Sequence, residues 1–292
     1  MNASEQSRVT IPSIRARKKT GGKIVAITAY DYAVASIMDA VGVDILLVGD
    51  SLGMTLLGYQ NTLPVTMDEM IDHTKPVARA ARNALVVGDM PFLSYHLSAE
   101  QAVANAGRFI KEGGAAAVKI EGASTRRLGL IETLVEADIP VLGHIGMTPQ
   151  SVGRFGGFKT QGTTPEAARR LVREARGIER AGAFAVVIEC VPAEVAAEIT
   201  AAVGIPTIGI GAGPACDGQI IVFHDLVGFH GGYLPKFVKT YADLHGVITE
   251  AIGRYRDDVR AGVFPDAEHS YHLKPAAAAA LKPSGKKTGP GK

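Results

Sequence analysis

The 292-residue chain is 47% hydrophobic and carries a formal net charge of +2. That apolar content suits one large folded core, and the scattered Lys and Arg exclude the basic stripe of a nucleic-acid-binding surface. The only cysteines, Cys190 and Cys216, exclude a disulfide framework, and no run nears the roughly 18 apolar residues of a membrane span.

Residues 1–22 read as an N-terminal segment with no apolar run suited to a secretory signal, which predicts a cytoplasmic protein. Short runs rich in Val and Ile then alternate with helical patterns. KIVAITAY from Lys23 leads to a predicted helix, DYAVASIMDAVG, closed by Gly42. DILLVGDS from Asp44 leads to SLGMTLLGYQNTLPVT, where no helix is legible. A helix over 66–81 opens with the capping-box pair Thr66 and Glu69 and precedes ALVVGDMP from Ala84. A helix over 98–112, stopped by Gly113-Gly114, precedes AAAVKIEG from Ala115 and then IPVLGHIGM from Ile139. Thr164-Pro165 opens a helix to Ala181-Gly182, and AFAVVIEC follows from Ala183. A helix over 192–203 ends at Gly204, before IPTIGIGAG from Ile205 and QIIVFHDLVG from Gln219. A last helix is expected from about Lys236 to Ala261.

The eight runs are almost continuously apolar, as strands of a parallel sheet buried on both faces are. Eight strands in β-α order predict an α/β fold, a single (β/α)₈ TIM barrel over 23–265, with an open doubly wound sheet as the rival. The seventh and eighth runs lie too close together for a helix between them. In the tail, 266–292, prolines flanking KPAAAAALKP discourage a long helix, and KPSGKKTGPGK has the composition of a disordered end.

In such a barrel the chemistry gathers at the C-terminal strand ends. Asp50-Ser51 follow the second run, Asp89 the third, Lys119 and Glu121 the fourth and Glu189 the sixth, while His144 lies in the fifth. Lys119 and Glu121, two apart, share a face. A carboxylate just past a strand is often a helix cap. Capping suits neither Asp50, with no helix pattern after it, nor Asp89, because Pro91 disfavours helix at Met90. Glu121 could simply pair with Lys119, and a lone His144 is more often a core histidine than a catalyst. Carboxylates converging on one rim repel one another and need a cation. Without Cys, and with one His, that cation is expected to be Mg²⁺. Lys119 suits an anionic substrate, and a carboxylate not used by the metal, such as Glu189, is left as a base. Metal, 2-oxo acid and base together make enolate chemistry.

VGDSLG from Val48 also fits the G-x-S-x-G serine elbow, and Asp266 and His269 form a D-x-x-H pair. Three points oppose a hydrolase: no helix follows Ser51, no G-x-N-D block exists, and Asp89, Lys119, Glu121 and Glu189 gain no role. Asp50 is therefore the chemical residue, with Ser51 assisting and Gly49 and Gly53 allowing a tight turn. GIGAGPACDG and GGAAAVKIEG lack dinucleotide and Walker patterns and read as rim turns. Cys190 reads as a packing residue.

Together the motifs resemble the ketopantoate hydroxymethyltransferase family. The blocks are TAYD at Thr28, LVGDSLGM at Leu47, TLPVT at Thr62, GDMPF at Gly88, VKIEG at Val118, GHIGMTPQS at Gly143, IEC-VP at Ile188, IGIGAG at Ile208, CDGQ at Cys216 and PKFVKTYADL at Pro235. They run in family order over about residues 10–265, with small departures at Met147 and Phe158. The resemblance implies a barrel of the phosphoenolpyruvate/pyruvate-like superfamily. It implies transfer of a hydroxymethyl group from 5,10-methylenetetrahydrofolate to 3-methyl-2-oxobutanoate, giving 2-dehydropantoate for pantothenate synthesis. Asp50, Asp89 and Glu121 then correspond to the Mg²⁺ site, Glu121 partly through water. Asp50, Ser51, Asp89 and Lys119 correspond to the groups that hold the substrate, with His144 lining the site, and Glu189 to the base. Self-association to a homo-oligomer, a decamer, is likewise implied. A Mg²⁺-dependent 2-oxo acid lyase or mutase of the same superfamily, indifferent to folate, and a barrel that only binds are the alternatives.

Overall fold

β1 (Ile24–Thr28), β2 (Ile45–Val48), β3 (Leu85–Asp89), β4 (Ala117–Glu121), β5 (Val141–Gly146), β6 (Ala185–Glu189), β7 (Thr207–Ile210) and β8 (Gly218–Ile221) pair in chain order, all parallel. β1 also pairs with β8, Ile24 opposite Gly218, so the sheet closes and the open doubly wound alternative is excluded. The computed structural model describes residues 8–157, 159–229 and 234–280. The expectations for Phe158 and for the KPSGKKTGPGK end lie outside the described residues. No described helix is long and apolar enough to cross a membrane.

Two apolar layers hold the barrel. Ile45, Leu47, Leu85, Val87, Ala117, Leu142, Ala185 and Val187 fill its interior. Alternate residues such as Leu46, Val86, Val118 and Val186 face outward, against helices that include Met67–Ala80, Ala99–Lys111 and Pro165–Arg180. Both faces of β2 to β6 are thus largely apolar and buried, which is why those runs look continuous, whereas β1 and β8 expose Val25 and Gln219. The expected Thr66–Glu69 capping box is formed, and Thr164 caps the helix that starts at Pro165.

Among the described residues, two helices of ten residues or more lie where the sequence reading assigned none. Ile11–Thr20 is opened by a Thr10–Ser13 capping box, and its one buried residue, Ile14, joins the interior cluster. Arg17 and Lys18 anchor it through ion pairs of 2.9 Å to Asp44 and Asp217, at the N-terminal side of β2 and β8. Thr125–Glu136, capped by Ser124, buries Leu130, Ile131 and Leu134.

The described residues divide into two units between Ala242 and Asp243. In the second, the last long helix runs Leu244–Ala261 rather than from Lys236. Asp243 is its cap, accepting from Gly246 N, and residues 235–238 instead make a turn closed by Val238 N donating to Pro235 O. The Ala-rich segment forms only the short helix Pro275–Ala280.

Gly88, beside Asp89 on β3, is a close-approach glycine. A Cβ there would lie 2.2 Å from Phe109 Cδ1, inside a fully buried ring. Gly88→Ala is expected to cost about 1–3 kcal/mol, the range for overpacked cores, read as a lower urea midpoint. An unchanged midpoint would mean the helix carrying Phe109 gives way freely.

Candidate active site

Strand alternation delivers the polar groups. Leu85 and Val87 of β3, Ala117 of β4, Leu142 of β5 and Ala185 and Val187 of β6 face inward. Counting on by two along the same face gives Asp89, then Lys119 and Glu121, then His144, then Glu189. Asp50 follows β2 at the same end. Asp50, Asp89, Lys119, Glu121 and His144 are each no more than 5% exposed.

Lys119 Nζ lies 2.9 Å from Asp89 Oδ1, 3.5 Å from Glu121 Oε1 and 3.3 Å from His144 Nδ1. His144 Nε2 lies 3.2 Å from Glu189 Oε2 without an aligned hydrogen bond, so the imidazole sits between Lys119 and Glu121 on one side and Glu189 on the other. Glu189 is the outermost of the set, its side chain 15% exposed. Asp50 N donates to Asp89 Oδ2 at 3.3 Å. Six expected site residues are thus one connected group.

The group is rich in negative charge. Burial, and then Asp89 and Glu121, hold the Asp50 carboxyl well above the ordinary range. Burial also raises Asp89, which Lys119 only partly offsets. Burial would raise Glu121, but Lys119 and His144 outweigh it and bring that group below its usual value. Burial and the Lys119 charge press His144 down, yet contacts with Glu121 and Glu189 lift it to about 9.

Gln150 was not foreseen. In the turn Pro149–Ser151 after β5, its Nε2 donates to Asp50 Oδ2 and to Met90 O, both at 2.9 Å. Its Oε1 accepts from Tyr95 OH at 2.7 Å, and its backbone N donates to Glu121 Oε2 at 3.1 Å. Gln150 therefore fixes the two carboxylates relative to each other. The chain bends towards it at Gly146 (φ +93), where a Cβ would lie 2.2 Å from Glu189 O.

One expectation about VGDSLG is corrected. A single helical turn, Leu52–Thr55, does follow Ser51. It is closed by backbone bonds such as Gly53 N to Asp50 O, and four residues are too few to show a periodic apolar stripe. Gly53 is there for contact: a Cβ would meet Val65 Cγ2 at 2.5 Å. Ser51 Oγ pairs with Tyr30 OH at 2.8 Å, not with a histidine. His269 Nδ1 is 2.6 Å from Asp266 Oδ1 in a local contact three residues apart. Among the described residues no basic side chain pairs with Ser51 Oγ. Cys190 is a poor nucleophile, its thiol pushed up to about 12 by burial and by Glu189.

The site has the donors of a hard divalent cation. Asp50 and Asp89 supply oxygen atoms whose ionised form a cation would favour, and Asp89 Oδ1 has only the Lys119 ion contact, without an aligned hydrogen bond. Among the described residues, no three His, Cys, Asp or Glu groups converge as a ready-made metal cage. Glu121 is already occupied by Lys119 and by Gln150 N. Two carboxylates, with water completing the shell, are within the habits of Mg²⁺.

A family model described as ketopantoate hydroxymethyltransferase matches residues 8–267. The chain belongs to the ketopantoate hydroxymethyltransferase family. It is 53% identical over 268 residues to 3-methyl-2-oxobutanoate hydroxymethyltransferase of Syntrophomonas wolfei, covering 92% of this chain and 97% of the relative. The namesake from Moorella thermoacetica is also 53% identical, over 92% of this chain and 99% of the relative. In fold, this hydroxymethyltransferase family member is similar to 2,3-dimethylmalate lyase of the PEP mutase/isocitrate lyase superfamily. That likeness has a TM-score of 0.57 at 16% identity, over 92% of this chain and 93% of the other.

Proposed function

We propose that the chain transfers a hydroxymethyl group from 5,10-methylenetetrahydrofolate to 3-methyl-2-oxobutanoate, giving 2-dehydropantoate for pantothenate synthesis. The observation that carries this reading is the Glu189–His144 contact at the open end of a buried charge group, in a chain whose full-length relatives bear that enzyme's name. A base must be reachable by substrate, and the partial exposure of Glu189 beside His144 supports that role.

In this reading Asp50 and Asp89, with Glu121 beside them, would hold a divalent cation, assigned as Mg²⁺. When bound, the cation supplies positive charge to the keto oxygen on which negative charge develops. Ser51 and Lys119 hold the substrate carboxylate. Glu189 takes the C3 proton, and His144 orients it. Carbon C3 then bonds to the one-carbon unit of the folate, water supplies the hydroxyl oxygen, and tetrahydrofolate leaves. The reading extends to a cytoplasmic, decameric assembly, for which sedimentation is the check.

The deciding experiment follows 3-methyl-2-oxobutanoate by proton NMR in D₂O with enzyme and Mg²⁺. Loss of the C3 signal, and 2-dehydropantoate once the folate is added, are expected. Exchange without product would favour the lyase or mutase reading, and no exchange would return the barrel to a binding role.

Gln150→Leu leaves Asp50 and Met90 O without their shared donor. Such supporting residues typically carry about 10–100-fold in metal affinity or activity, so a rise of that order in the Mg²⁺ concentration for half-maximal rate is expected. An unchanged Mg²⁺ dependence would make Gln150 a packing residue only.

A further inference from the structure

Tyr30 is buried and has no role in the transferase reading, yet its hydroxyl lies 2.8 Å from Ser51 Oγ. The residue is held from two sides. Its backbone carbonyl meets His73 Nδ1 at 2.8 Å, and its ring tilts against that of His224 with centroids 5.6 Å apart. Ser51 Oγ is confined as well, since a Cβ on Gly49 would lie 2.9 Å from it.

Which of the two hydroxyls donates decides what Ser51 can do, because each has one proton. A Ser51 that gives its proton to Tyr30 turns only lone pairs towards an anion, and they repel it. A Ser51 that accepts from Tyr30 keeps its own O–H for a carboxylate oxygen. Burial raises the Tyr30 hydroxyl above its ordinary value, so Tyr30 has a proton to give.

The direction is set further back. Phe223 N donates to Thr28 Oγ1 at 3.0 Å, and a backbone N–H cannot reverse its role. Thr28 then has its own proton left to give, and the Tyr30 hydroxyl lies within its reach. Thr55, the other hydroxyl near Tyr30, gives its proton to Ser51 O at 3.1 Å. Donors therefore run from Phe223 through Thr28 and Tyr30 to Ser51, each link polarising the next.

We propose that Tyr30 is a positioning residue for the oxo acid: by donating to Ser51 Oγ it fixes that hydroxyl as a donor towards the substrate carboxylate. The inference rests on the transferase reading, which gives Ser51 the carboxylate, and adds the residue that aims it.

The test is a double-mutant cycle on the intact chain with Mg²⁺, reading the Kd of 3-methyl-2-oxobutanoate by calorimetry and exchange of its C3 proton by NMR. Tyr30→Phe keeps the ring and removes only the hydroxyl. Its Kd is expected to rise about tenfold, the order of one hydrogen bond to a charged group, while exchange at saturating oxo acid falls far less. In a Ser51→Ala background the same substitution should change Kd by less than about twofold, because residues that act through one another are not additive. Thr28→Val breaks the chain one link earlier with the Tyr30 ring untouched, and its loss of affinity should likewise vanish without Ser51. Wild-type binding that Tyr30→Phe leaves unchanged overturns the inference and leaves the transferase reading standing. An equal loss of affinity with and without the Ser51 hydroxyl also overturns it, as a general effect on the fold. A wild-type chain that neither binds nor exchanges the oxo acid removes both.

Discussion

Glu189→Gln is expected to slow exchange of the C3 proton by about 10²- to 10⁴-fold, the span that positioned general bases contribute. The replacement keeps the size of the side chain and an oxygen to face His144 Nε2, now 3.2 Å from the carboxylate. It removes only the capacity to take a proton. The KM for the oxo acid should accordingly change little, with kcat and exchange falling together, because proton removal precedes carbon–carbon bond formation. A second readout comes from His144. Its imidazole sits at about 9 because Glu121 and Glu189 overcome burial and the Lys119 charge. With one carboxylate gone, its titration followed by NMR should move down. Exchange within tenfold of wild type would sink the assignment, and the base would have to be sought elsewhere on the rim.

Lys119→Met should produce the largest loss of stability. Its ammonium is held charged by Asp89, Glu121 and Asp50, which together overcome burial. Removing one partner of a buried ionic group typically costs about 3–5 kcal/mol, against a total stability of order 5–15 kcal/mol. The sign of the pH dependence follows from Asp50 and Asp89. Both are raised in the folded protein, so their folded forms keep protons that the unfolded chain has lost. Such groups favour the fold below the ordinary carboxylate range and disfavour it as pH rises through their folded values. Losing Lys119 pushes both further up, so the variant's deficit should widen from about pH 4 towards neutrality and shrink on mild acidification. Millimolar Mg²⁺ should recover part of it at pH 7.5, by binding the folded state alone. A urea midpoint that ignores both pH and Mg²⁺ would show that Lys119 does not balance these carboxylates.

The strands and the charge group were legible because each is written locally. A buried parallel strand is a run of Val and Ile, and a site residue is the next inward position after it, so Ala117, Lys119 and Glu121 state their own geometry. Gln150 was not legible. Its partners Asp50, Met90 and Tyr95 come from 55–100 residues away and meet only in the folded loops, and a glutamine has no charge to advertise the meeting. The helix Ile11–Thr20 was missed because it buries only Ile14, leaving no stripe to count. The turn after Ser51 was missed because it is shorter than one helical period of pattern. The Lys236 boundary failed because Asp243, a capping residue, was read as helix interior.

The way the barrel closes bears on how the chain is made. Lys18 reaches Asp217, and β1 pairs with β8, across some 200 residues. A ribosome must therefore release nearly all of the first unit before its first strand gains its second neighbour, and contacts so distant in sequence form slowly. Until then the nascent sheet has two bare edges, of the kind that recruit other chains. The helix carrying Ile14 emerges first but can bridge β2 and β8 only at the end, as a latch on a finished ring.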